Sequence, residues 1–129
     1  MQPQFEKGGG LLPAIIQDAT SGEVLMLGFM NPEAFEQTRL TGDVVFFSRT
    51  RKRLWKKGEQ SGHMLKVREF RVDCDSDALL VRVDAVGPGV CHEGYRSCFF
   101  RRIESDGEAA IVEERKFDPS NVYAKETKR

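Results

Sequence analysis

Long hydrophobic runs are missing from this chain, and no apolar stretch approaches the roughly 20 residues that a helical bilayer span needs, which excludes a membrane role of that kind. Net charge is missing too. Twenty Lys and Arg cancel twenty Asp and Glu, so the chain lacks the broad positive field of a general nucleic-acid binder. Cysteine is scarce and odd in number, three in 129 residues, which argues against a disulfide framework and towards metal binding or catalysis. The first ten residues carry Gln, Glu, Lys and glycines where a secretory leader needs a basic start and an apolar stretch. A cytoplasmic protein is therefore expected.

What is present is sized for one domain, 1–129, able to bury a core without staples. Residues 11–16 and 24–30 read as strands around a turn at 18–22, where Asp18, Ser21 and Gly22 supply turn chemistry. Asn31-Pro32-Glu33 starts a helix: Asn as N-cap, Pro at the first helical position and Glu near the positive end of the dipole. Gly42 is placed to end it. Residues 44–48 read as a strand. Over residues 65–72 the apolar alternation changes phase, Leu65 and Val67 giving way to Phe70 and Val72, and a bulge near Arg68 and Glu69 accounts for the slip. Leu79, Val81, Val83 and Ala85 share one face of the next strand, which Gly87-Pro88-Gly89 breaks. Another strand is expected from Cys98 through Phe99 and Phe100 to Ile103, followed by a turn at 104–107. Past Val112 the chain turns polar, and a loosely ordered tail over about 113–129 is expected.

Two kinds of metal ligand stand out. Thiolates favour a soft or borderline ion such as zinc, alternating carboxylates a hard one such as magnesium or calcium. Cys91 and Cys98 lie seven residues apart across Gly94, room for a loop to bring both sulfurs to one ion, and Cys74 lies seventeen residues before Cys91. Three thiolates leave a fourth tetrahedral position open, as in a catalytic zinc site. Three unrelated core cysteines, or a closed Cys₃His site using His63 or His92, fit the spacing as well. Asp73, Asp75 and Asp77 stand at i, i+2 and i+4; a curled loop aims such a triplet at one hard cation, whereas a solvated strand end needs none. His92 directly follows a candidate zinc ligand and His63 follows Ser61-Gly62. An imidazole there can move protons near neutral pH, or serve as a structural hydrogen bonder. Six of the nine residues 49–57 are basic. Arginine grips phosphate bidentately and Trp55 can stack on a base, the alternative being an exposed basic hairpin.

Together these segments resemble the phosphoribosyl-AMP cyclohydrolase family of histidine biosynthesis. The stretches that carry the resemblance are Gly22-Glu23-Val24-Leu25-Met26-Leu27 with Met30-Asn31, Phe47-Ser48-Arg49, Leu54-Trp55-Lys56-Lys57-Gly58-Glu59, Ser61-Gly62-His63, Asp73-Cys74-Asp75 with Asp77, Leu79 and Leu80, and Cys91-His92 through Gly94 to Ser97-Cys98-Phe99. They span about residues 12–103. Gln60 and Glu93 stand where Thr is usual, and Gly28-Phe29 where Ala-Trp is common; no candidate ligand is lost.

The resemblance implies an α+β fold, a mainly antiparallel β-sheet with a few flanking helices in an intertwined homodimer. It implies hydrolytic opening of the purine ring of phosphoribosyl-AMP between N1 and C6. Zinc would be held by Cys74, Cys91 and Cys98 drawn from both chains, magnesium by Asp73, Asp75 and Asp77. Zinc would lower the pKa of a water so that hydroxide attacks C6 at neutral pH, much as zinc deaminases attack adenine at C6. His92 is the expected proton carrier, with His63 second. Substrate contacts are expected from Ser48, Arg49, Arg51, Trp55, Lys57, Ser61 and Gly62. The pyrophosphohydrolase domain fused in some relatives is absent from the sequence, so a single activity is expected. The rival readings are a zinc-stabilised nucleic-acid module using residues 49–57, whose affinity would fall steeply with salt, and a nucleotide deaminase, whose turnover would release ammonia. Neutral net charge speaks against the first.

Overall fold

Alternation of apolar and polar residues dictates the central sheet. The computed structural model describes residues 2–123. After a 3-10 turn at Phe5–Gly8 the elements are β1 (Leu12–Asp18), β2 (Val24–Met30), α1 (Pro32–Thr41), β3 (Val45–Ser48), β4 (Arg53–Lys56), β5 (Leu65–Val72), β6 (Leu79–Ala85), β7 (Arg101–Ile103), β8 (Ala109–Ile111) and α2 (Pro119–Tyr123). Ala14 and Ile16 of β1 and Leu79, Val81 and Val83 of β6 are buried in one core with Leu25, Met30, Ala34, Phe46 and Leu65. Among the described residues no helix is long and apolar enough to cross a membrane.

The main sheet runs in the order β2-β1-β6-β5. Its outer pairs, β1–β2 and β5–β6, are antiparallel. The middle pair, β1–β6, is parallel, Ala14 opposite Leu79 and Asp18 opposite Val83. Two small antiparallel sheets, β3–β4 and β7–β8, complete a mainly antiparallel α+β architecture. The bulge falls where the phase change puts it: Val67 pairs with Val83 and Glu69 with Arg82, leaving Arg68 without an opposite.

Helix α1 begins as its sequence dictates. The Asn31 side-chain oxygen accepts from the Ala34 N–H at 2.8 Å, and Gly42, at φ 80°, closes the other end by donating to the Thr38 carbonyl. Thr38 joins this helix to the hairpin. Its buried hydroxyl donates to the Ala34 carbonyl (2.8 Å) and accepts from the Val45 N–H (2.9 Å), so the Thr38 oxygen is satisfied inside the core.

Two expectations fail here. The strand expected from Cys98 begins only at Arg101, because the Cys98 N–H goes to the Leu25 carbonyl and the Phe99 N–H to the Ser97 hydroxyl two residues back. The tail expected to be loose is tied down in its described part: the N–H groups of Lys116 and Phe117 both donate to the Gly94 carbonyl, at 2.7 and 3.3 Å. Residues 124–129 of that tail lie outside the described residues.

Gly28 meets the core through a missing atom. A Cβ there would stand 2.5 Å from the Phe46 ring, which is fully buried and has Trp55 5.1 Å away. Gly28→Ala is therefore expected to lower stability by about 1–3 kcal/mol in urea unfolding, the usual cost of overpacking. Phe46→Leu in the same chain should recover part of that loss. Strict additivity of the two changes would show that the ring is not what excludes the methyl group.

Candidate active site

Backbone hydrogen bonds fold the second cysteine segment into a closed loop. The Val90 N–H donates to the Arg96 carbonyl, Cys91 to Tyr95 and Gly94 to Cys91, each at 3.0 Å. Gly94 makes the turn at φ 98°, a left-handed conformation that favours glycine. The returning limb is fastened to β2. Ser97 Oγ donates to the Val24 carbonyl at 2.8 Å, and the Cys98 N–H donates to Leu25 at 2.7 Å. Arg96 adds a charged clamp, its Nε donating to Glu23 at 2.8 Å and its other arm pairing with Asp18.

Loop closure brings the sulfurs of Cys91 and Cys98 within hydrogen-bonding reach. The Cys98 thiol donates to Cys91, and this bond is the chief reason that Cys91 is lowered to about 6. Burial opposes the shift, and the Glu93 N–H, 3.4 Å from the sulfur, assists it. The same bond pushes the Cys98 thiol up against the field of Lys57, although the residue is exposed. A neighbouring pair of sulfurs in which Cys91 is the more easily ionised offers two donors to a soft metal. Cys74, which is exposed, does not join them within the chain. Among the described residues the ligand cluster of three or more is Asp73, Asp75 and Asp77, with oxygens within 4.8 Å of one another.

That carboxylate loop links β5 to β6. Ser76 is buried at φ 64°, a strained angle for a residue with a side chain, and is held by the N-terminal segment, whose Gln4 N–H donates to the Ser76 carbonyl at 2.8 Å. Asp73 Oδ1 accepts from the N–H groups of Asp77 and Ala78 at 3.0 and 3.1 Å. Desolvation works against the charge of Asp73, but these bonds outweigh it and hold the carboxyl below its usual range. Asp77 is raised, first by its hydrogen bond with Asp75 and then by desolvation and the neighbouring charges. Crowded carboxylates with one driven towards protonation form a donor set that a hard cation would relieve.

A cavity of about 380 Å³ opens between the β3–β4 hairpin, residues 58–61 and His92. Of the residues singled out in the sequence, Ser48, Arg51, Trp55, Lys57 and Ser61 line it; Arg49, Gly62 and His63 do not. Arg49 instead lies over the Phe29 ring, 4.0 Å from its centroid. His63 packs edge-on against Phe117, and its Nδ1 is buried with no hydrogen-bond partner among the described residues. The Ser48 hydroxyl accepts from the Arg51 N–H at 3.1 Å, shaping the hairpin turn. Thr50, Arg53, Lys56, Gly58, Glu59 and Gln60 also line the cavity, and sequence reasoning does not pick them out as substrate contacts. The basic run and its Gly58-Glu59 extension are the available signal, but which of these residues reach the cavity depends on how the β3–β4 hairpin is placed.

The Asp18 clamp makes a pH prediction. Asp18 is 8% exposed, and its carboxyl is lowered by hydrogen bonds from the backbone of Thr20 and Ser21 and by the Arg96 charge, against burial. A depressed folded pKa means stability that is complete above the ordinary carboxylate pKa of about 4 and is lost as pH falls through the folded value. The urea-stability gap between the parent protein and Asp18→Asn should therefore hold from neutrality down to about pH 5 and shrink below about pH 4. A gap of constant size down to pH 3 would show that the carboxylate charge contributes nothing.

Comparison with known proteins puts this arrangement in context. A sequence model of the phosphoribosyl-AMP cyclohydrolase family matches residues 26–100, which hold the cavity-lining residues, the carboxylate loop and both paired cysteines. The chain is 56% identical over 123 residues to the phosphoribosyl-AMP cyclohydrolase of Solibacter usitatus, covering 95% of this chain and 97% of that one. It is 55% identical over 121 residues to that of Nitratidesulfovibrio vulgaris, covering 94% and 95%. With that of Rhodopseudomonas palustris it shares 51% over 130 residues, covering 97% and 85%. On this similarity, the chain belongs to the phosphoribosyl-AMP cyclohydrolase family.

Proposed function

We propose that this protein opens the purine ring of phosphoribosyl-AMP by hydrolysing the N1–C6 bond, as a zinc-dependent hydrolase of histidine biosynthesis in the cytoplasm. The observation that carries the reading is one of position. His92 stands in the wall of a basic cavity and directly follows Cys91 of the thiol pair. A cavity suited to an anionic nucleotide therefore borders a soft-metal donor set.

In this reading Arg51, Arg53 and Lys57 hold phosphate, and Trp55 offers its face to the base. Water adds to C6, the C6–N1 bond breaks, and the proton released ends on N1. His92 carries that proton, its imidazole working near neutral pH. Zinc on Cys74, Cys91 and Cys98 would supply an activated water at neutral pH, and magnesium on Asp73, Asp75 and Asp77 would offset phosphate charge. His63, boxed in away from the cavity, holds the neighbouring loop.

The zinc set would be completed between two copies of the chain. The separation of Cys74 from the pair supports this, and so does an apolar strip that one chain leaves uncovered: Phe99 (59% exposed), Ile103 (77%) and Ile111 (58%), on and beside the β7–β8 hairpin that follows Cys98. Such a strip fits a second copy better than solvent.

Incubation with phosphoribosyl-AMP should yield the ring-opened aminoimidazole carboxamide ribotide, still carrying C2 and the phosphoribosylated N1 as a formimino substituent, without ammonia; ammonia release would favour a deaminase. Cys98→Ser should lose tight zinc and activity together. Asp77→Asn should keep zinc near parental stoichiometry while activity falls and demands more magnesium. Equal zinc loss in both variants would refute a separate hard-ion site.

Sharing between chains has its own test. Cys74→Ser and Cys91→Ser should each be inactive alone. Refolded together in equal amounts, half the dimers are mixed, and each mixed dimer collects both lesions in one site and none in the other. Roughly a quarter of parental activity should return under two-fold pairing. A mixture that forms dimers yet stays inactive would rule out the shared site.

A further inference from the structure

The two loops that wall the cavity are fastened to each other from behind, by residues beyond the stretch that the family model matches. Phe117 is the junction. Its N–H, with that of Lys116, donates to the Gly94 carbonyl, and its ring stands edge-on to the His63 imidazole with centroids 4.8 Å apart. Arg115 reinforces the first attachment: Nε donates to the Glu93 carbonyl at 3.0 Å, and the guanidinium lies 5.5 Å from the Tyr95 ring centroid. Gly94 is tailored to this contact, since a Cβ there would stand 2.5 Å from the Phe117 carbonyl oxygen. His63 is equally confined, because a Cβ on Gly87 would come within 2.6 Å of its ring and one on Gly58 within 2.6 Å of its backbone. His92, in one wall, immediately precedes Glu93; residues 58–61, in the other, lead into His63. None of residues 115–117 lines the cavity.

We propose that residues 115–117 form a positioning clasp that fixes the His92 wall against the 58–61 wall. Neither loop has regular secondary structure to hold its spacing, and a displacement of about 1 Å at a reacting group can cost on the order of 10²-fold in rate. The proposal rests on the proposed function in taking His92 as the proton carrier.

The test uses the full chain with Phe117→Ala and the milder Phe117→Leu, read by amide hydrogen exchange and by kinetics on phosphoribosyl-AMP. Exchange should rise together in peptides covering 58–64 and 90–96, while β1 and β6 keep their protection. The value of kcat/KM should fall roughly 10-fold or more in Phe117→Ala and less in Phe117→Leu. Faster exchange in only one wall, or in neither, would overturn the clasp, as would parental kcat/KM in both variants. Should Phe117→Ala fail to fold, Phe117→Leu and Arg115→Ala decide by the same two readouts. A fully active His92→Ala enzyme would remove His92 from the chemistry, and the exchange measurement would still decide whether the two walls are clasped.

Discussion

The seam between β2 and the loop holding Cys91 and Cys98 supports the rest of the site. β2 is an outer strand of the main sheet, so its far side presents backbone groups that need covering. The loop supplies the cover through Ser97, whose hydroxyl takes the Val24 carbonyl, and through the Cys98 N–H on Leu25. Arg96 locks the arrangement by spanning Glu23 and Asp18 at the adjoining turn. A guanidinium suits this task because its rigid fork serves two carboxylates at once. The sulfur pair, His92 and the attachment point of the clasp all inherit their positions from this docking.

Charge that cancels over the whole chain is unevenly distributed. Cations gather at the cavity, carboxylates and Cys74 at the β5–β6 connection, and the Cys91–Cys98 pair lies in a third place where Lys57 favours ionisation of Cys98. The separation keeps the acidic loop from neutralising cations that an anionic nucleotide needs.

What could be read from the sequence was local. Asn31, Gly42, the Arg68 bulge and the buried face of β6 follow from neighbours a few residues away, and the structure reproduces them. The parallel β1–β6 pairing escaped because alternation sets which face a strand buries, not its partner or direction. The ends of the strand near Cys98 and the docking of residues 115–117 escaped for a related reason: their hydrogen-bond partners, Leu25 and Gly94, are distant in sequence. At the site, the carboxylate triplet and the Cys91–Cys98 pair were legible from spacing, whereas the different surroundings of His63 and His92 depend on tertiary packing by Phe117.

The parallel seam has a consequence for how the chain acquires its shape. Each antiparallel hairpin of the main sheet can form from contiguous residues, but β1 cannot meet β6 until the chain has been made to beyond Leu79. At a synthesis rate of about 5–20 residues per second, the completed β1–β2 hairpin waits for seconds with the β6 side of β1 unpaired. Closing so long a loop is also entropically slow compared with zipping a hairpin. Assembly is therefore modular, two hairpins first and their union afterwards, and the newborn protein is most exposed to wrong partners in the interval before they join.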